Sequence, residues 1–142
     1  MLSNISVKIV YDALKNELLS YKDVTSRMLY NVEVFRCHGV YARIRIKGKS
    51  LYIYLKYDIE LIDYNYLKVK DVGSSRGFKD TPMEIKVTGK RKLRRCIDLI
   101  RQMFSADGIH KRVHNKRIDY VKMYPEMPNT IMINTNIILK NK

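Results

Sequence analysis

A hydrolytic or group-transfer site needs a nucleophile beside a base, a pair of carboxylates, or a metal cluster. Few residues of this chain have those types at a useful spacing. Asp58, Glu60 and Asp63 form the only close carboxylate cluster. They lack the glycine-kinked pattern of a calcium loop and read as a solvated loop. His110 and His114 would share one helix face and could ligate a metal. Yet Lys111, Arg112, Lys116 and Arg117 surround them, and a cationic field disfavours a dication. Cys37 adjoins His38 at the end of a strand pattern with no third group to activate it, so it reads as structural. Gly73-Ser74-Ser75-Arg76-Gly77 offers backbone donors and one arginine, but it lacks the Gly-Lys-Ser/Thr ending of a phosphate loop and reads as a connector. No catalytic residue, metal or cofactor is expected.

Residues suited to binding are more prominent. Tyr41, Arg43, Arg45, Tyr52 and Tyr54 fall on one side of two alternating segments. Guanidinium and phenol groups interleaved on a sheet suit single-stranded nucleic acid, whose phosphates need cations and whose bases stack on aromatic rings. Tyrosine is also simply a good strand former. Lys90, Arg91, Lys92, Arg94 and Arg95 crowd the first turns of a helical pattern. Positive charge is unfavourable at the positive end of a helix dipole, so a cluster there suits an anionic partner. Lys111, Arg112, Lys116 and Arg117 could extend that patch.

The whole chain is charged in the same sense. Its 142 residues carry 28 Lys+Arg against 14 Asp+Glu, a formal charge of +14. The first 71 residues hold 12 basic and 8 acidic side chains, the second 71 hold 16 and 6. The excess therefore lies in the second half and points to a basic face that attracts polyanions. Hydrophobic residues make up 46%, enough for a core, which excludes wholesale disorder. Two cysteines exclude a disulfide framework and a four-cysteine zinc site. No apolar run approaches the ~20 residues of a membrane span, and Lys8, Asp12, Lys15 and Glu17 interrupt any leader-like stretch. A single cytoplasmic domain is expected.

The elements that must position these residues follow from periodicity. Val7, Val10, Tyr11, Leu14, Leu18 and Tyr21 recur at helical steps, with Asn4 or Ser3 as cap. Met28–Arg36 reads as a strand closed by His38-Gly39. Val40–Lys47 and Ser50–Lys56 alternate around a Gly48-Lys49 turn and predict a hairpin. Leu67–Val72 and Met83–Val87 are further strands, separated by the Gly73–Pro82 loop. Lys90–Phe104 returns to helical spacing, with Thr88 as cap and Gly108 as stop. From Ile109 onward the pattern is ambiguous: a basic segment, then Ile118–Tyr124, two prolines, and Thr130–Leu139 as strand or short helix.

The order of Tyr21-Lys22, Ser26-Arg27, Glu33, Phe35, Ala42, Ile46-Lys47-Gly48-Lys49, Leu51, Tyr54-Leu55, Asp58, Lys68-Val69, Asp71-Val72 and Pro82 continues into Ile85-Lys86, Leu99-Ile100, Asp119-Tyr120, Tyr124-Pro125 and Thr130. This pattern resembles an uncharacterised small domain common in low-GC Gram-positive bacteria, often in tandem. That domain is similar in turn to one appended to predicted nucleases and to so-called predicted transport proteins. The resemblance implies a shared α+β fold and no catalytic motif. The Arg/Tyr face and the Lys90–Arg95 cluster depart from it and look like additions to a common scaffold, as in a phage or mobile-element accessory protein.

The expected architecture is α+β: a four- or five-stranded, mostly antiparallel sheet with both helices on one face. Residues 1–108 would form the core and 109–142 a basic C-terminal arm of the same domain. The expected function is non-enzymatic binding to nucleic acid or to a nucleic-acid-handling complex. The alternative is an inhibitor or adaptor docking on an acidic protein surface, for example one that blocks a defence nuclease such as a CRISPR effector. A small enzyme ranks third, and no membrane partner is expected.

Overall fold

The computed structural model describes residues 6–57, 69–75, 77–114 and 116–120. Helix α1 spans Val7–Leu19 and starts at Ser6, whose hydroxyl accepts from the Lys8 amide; the expected caps Ser3 and Asn4 lie outside the described residues. Val10, Tyr11, Leu14 and Leu18 are buried along one stripe. Ser20 ends the helix by returning its amide and hydroxyl to the Glu17 carbonyl.

Among the described residues the sheet has six strands in the order β1-β2-β3-β4-β6-β5, every neighbouring pair antiparallel. Its members are β1 (Thr25–Leu29), β2 (Val32–Arg36), β3 (Val40–Lys47), β4 (Ser50–Leu55), β5 (Lys70–Asp71) and β6 (Met83–Val87). The α+β class stands, but the expected count of four or five strands does not. The segment Met28–Arg36 is two strands rather than one, folded at Tyr30-Asn31 so that Leu29 faces Val32. Tyr30 takes a left-handed φ of 58° to make that turn, a conformation rarely adopted by a bulky residue, so its sequence signal is weak. The β3–β4 hairpin forms where the alternation placed it, with Gly48 at φ 64°. Of the strand expected over Leu67–Val72, the described residues pair only at Lys70–Asp71. The Asp58–Asn65 loop and the segments beyond Tyr120 lie outside the described residues.

Helix α2 spans Lys90–Ala106. Gly89, not Thr88, is its N-cap, and no side chain caps it. Five cations near the positive end of the dipole cost about a few tenths of a kcal/mol each at exposed positions. Burial of Cys96, Leu99, Ile100, Met103 and Phe104, at roughly 1.5–3 kcal/mol for a large apolar side chain, outweighs that cost. Gly108, at φ 70°, stops the helix as expected.

Both helices cover one face of the sheet, where Ala42, Ile44, Ile46, Leu51, Ile53, Leu55, Met83 and Ile85 are fully buried. The helices run side by side with their C-terminal turns together: Arg101 reaches Glu17, and the Tyr21 and Phe104 rings stack at 4.4 Å. One ion pair enters this core. Lys15 Nζ lies 2.9 Å from Glu33 Oε2, and the Tyr11 hydroxyl donates to Glu33 Oε1 at 2.7 Å. Every oxygen of that buried carboxylate is thus engaged, as burial of a charge requires.

The chain after α2 returns along α1. Arg112 donates its backbone amide to the Ser20 carbonyl and its guanidinium to Leu19 and Val24 carbonyls, which closes the C-terminal end of α1. Ile118 exchanges hydrogen bonds with the Asn16 amide, and buried Asp12 accepts from the Tyr120 backbone and from Arg117. The described part of the arm therefore packs along α1.

Candidate nucleic-acid interface

The side chains nominated from the sequence separate into three places, with Tyr41 apart from all of them. The first is the sheet face opposite the helices. Register places Val34, Arg43, Tyr54 and Glu84 in one cross-strand row, and Arg45, Tyr52 and Lys86 in the next. The loop 73–82 folds over the first row. Phe78 packs against Tyr54 at 4.5 Å, while Arg43 donates to Asp80 at 2.7 Å and to buried Thr81 at 2.6 Å. The Tyr54 hydroxyl donates to Glu84 at 2.6 Å, and burial raises its pKa ahead of that hydrogen bond. Arg43 and Tyr54 thus form a second small core with Phe78. The signal for this cover was the lone aromatic in a Gly/Ser-rich loop.

Tyr41 does not lie on this face. The β2–β3 register shifts beside Phe35 and Arg36, so that Arg36 pairs with Val40. That bulge rotates Tyr41 toward the helices, since an extra residue reverses the alternation. Its ring lies 5.1 Å from Phe104 and its hydroxyl donates to Asp107 at 2.6 Å.

The second place is the end of the molecule that carries the β3–β4 turn. Leu51 pairs with Val87 and Lys47 with Ser50; the turn Gly48-Lys49 therefore stands beside Gly89 and the start of α2. This brings Lys47, Lys49, Lys86, Lys90 and Arg91 to one end, all of them exposed. Arg94 and Arg95 continue the charge along the outer face of α2, also exposed, until Asp98 interrupts it. Among the described residues, no carboxylate pairs with Lys47, Lys49, Lys86, Lys90, Arg91 or Arg94. Neither helix has an acidic residue in its first turn, so both helix dipoles add positive potential at the same end. Lys47, Lys49 and Lys86 were not nominated from the sequence. Strand alternation puts Lys47 on the Arg45 face, but the β4–β6 pairing that gathers the three is a tertiary fact.

The third place is the arm. Lys111 bonds Glu17 at 3.1 Å and covers the Tyr21 ring, Arg112 is spent on carbonyls, and Arg117 pairs with Asp12. His114 and Lys116 line a groove of about 410 Å³ between this arm and β1, together with Asn16, Thr25, Ser26 and Tyr120. The arm's cations do not continue the patch on α2.

The cysteines are both free and buried. Burial pushes the Cys96 thiol up to about 12 and raises Cys37 as well, which keeps them protonated and unreactive. Among the described residues, no three His, Cys, Asp or Glu side chains gather as a metal site, and no helix is long and apolar enough to cross a membrane. No family model, no curated protein and no solved structure matches the chain.

Proposed function

We propose that the protein is a non-enzymatic module that binds nucleic acid through the end carrying Lys47, Lys49, Lys86, Lys90 and Arg91, extended by Arg45, Arg94 and Arg95. One observation carries this reading: exposed Lys47, Lys49, Lys86, Lys90 and Arg91, from three separate stretches of chain, meet at one end, and no carboxylate among the described residues pairs with them. Elsewhere the same fold pairs its cations readily, as Arg43 with Asp80 and Lys111 with Glu17. A repulsive cluster is kept apart from those pairs at a cost in self-energy, and a polyanion relieves it by releasing its own counterions. Arg43, Lys111, Arg112 and Arg117 act within the fold under this reading and contribute charge at a distance, while Tyr54 serves the fold alone.

The test is a salt titration of binding to labelled DNA and RNA of mixed sequence. The logarithm of the association constant should fall linearly with the logarithm of salt, and Lys49→Ala or Arg91→Ala should each reduce that slope by about one phosphate contact. Absence of binding at low salt overturns the reading and leaves an acidic protein surface as the partner to seek.

A further inference from the structure

Resting on that reading, we infer that the row Arg45–Tyr52–Lys86 is a stacking platform that selects single-stranded nucleic acid. Tyr52 stands directly between Arg45 on β3 and Lys86 on β6, at cross-strand distances of about 5 Å. Its ring is only partly buried, whereas Tyr54 one row away is sealed beneath Phe78. Among the described residues, Tyr52 is thus the aromatic ring of this face that is not sealed, and it has a cation on either side.

Arg45 supplies the second observation. Its guanidinium is held over the rings of Tyr54 and Phe78, at 5.8 and 5.9 Å. Its Nε is buried and has no hydrogen-bond partner. A buried donor left without an acceptor is rare in a folded protein because it forfeits its hydration. Here the stacked rings fix a planar donor group beside an open aromatic face, with its remaining donors available to a phosphate. Lys86 on the far side and Lys47, which follows Arg45 on the same face, are exposed and placed to follow a backbone.

The platform lies on the face of a multi-stranded sheet, not on a helix or two-stranded ribbon that could enter a groove. A ring in such a face can stack only on a base that is already unpaired, so duplexes present it nothing but their backbone. Contacts of base to ring and of phosphate to flanking cation do not depend on base identity, which implies little sequence preference.

The chain contains no tryptophan, so the Tyr52→Trp variant carries a single indole at the platform. Anisotropy of a labelled single strand of about 12 nucleotides and of its duplex would be measured at low salt, with indole emission followed in parallel. The single strand should quench the indole and bind more tightly than the duplex. Tyr52→Ala should weaken single-strand binding by about tenfold or more with the salt slope unchanged, while Tyr52→Phe should retain affinity. Thermal melts of the three variants establish that each is folded. Equal affinity of strand and duplex with a silent indole, or wild-type affinity in folded Tyr52→Ala, overturns the platform and leaves the charged end intact. Failure of every nucleic acid to bind overturns both.

Discussion

Several of the described tyrosines are tied into the fold through a neighbouring carboxylate. Tyr21, Tyr41 and Tyr54 each donate a hydroxyl to an acid, Glu17, Asp107 and Glu84 respectively. Burial first and that hydrogen bond second raise their pKa values, Tyr41 to about 12 and the other two further. In the unfolded chain a tyrosine ionises near pH 10. The folded state therefore holds these protons more tightly, and the stability they contribute is fully present below about pH 10 and lost as pH rises through the folded values. Denaturant midpoints should begin to decline near pH 9, where the unfolded thiols ionise while buried Cys96 and Cys37 do not, and fall more steeply above about 10, with Tyr41→Phe and Tyr54→Phe each reducing the steeper fall. A midpoint that stays level from about pH 10 to 12 would contradict the buried, donating phenols described here.

At the scale of elements, the first hairpin carries a local conflict. Tyr30 turns the chain with a left-handed φ of 58° while its side chain is 84% exposed. A residue with a Cβ bears roughly 1–2 kcal/mol for that conformation, and so exposed a ring recovers little of it by packing. Asparagine tolerates the same dihedrals because its amide bonds its own backbone. Tyr30→Asn should therefore stabilise the protein by up to about 1 kcal/mol in chemical denaturation; a loss of stability would mean the ring packs more than its exposure indicates. The same residue explains what was legible in the sequence. Val40–Lys47, Met83–Val87 and the Gly48 turn were readable because aliphatic alternation and a turn glycine agree there. Tyr30-Asn31 lacks turn chemistry strong enough to interrupt the strand pattern, so two strands looked like one. The Tyr41 bulge was hidden for a different reason, and the Phe78 cover was marked only by a lone aromatic in its loop. Both are set by what lies across the sheet, and a period of two carries no record of it. Part of the candidate site shared that fate: Arg45, Tyr52 and the α2 cations were visible in the sequence, but the β4–β6 pairing that brings Lys86 beside them was not.

At the scale of the whole molecule, the charges of the described residues are sorted along the strand direction of the sheet. At one end stand the β3–β4 turn, the start of α2 and the start of α1. At the other, Asp107 meets Tyr41 and Lys56, Glu17 gathers Arg101 and Lys111, Asp23 follows α1, and Asp71 pairs across from Met83. Such a polar molecule turns in the field of an approaching polyanion, so its association rate should depend on where charge is removed as well as on how much. The decisive comparison holds net charge constant. Lys49→Glu with Arg91→Glu and Lys22→Glu with Lys56→Glu each change the chain by the same amount, from +14, at opposite ends. In stopped-flow mixing with single-stranded DNA at low salt, the first pair should slow association by about tenfold and the second far less. Near 1 M salt, where screening acts within about 3 Å, the difference should vanish. If both pairs slow association equally at low salt, only total charge matters to the encounter and the loaded end has no orienting role.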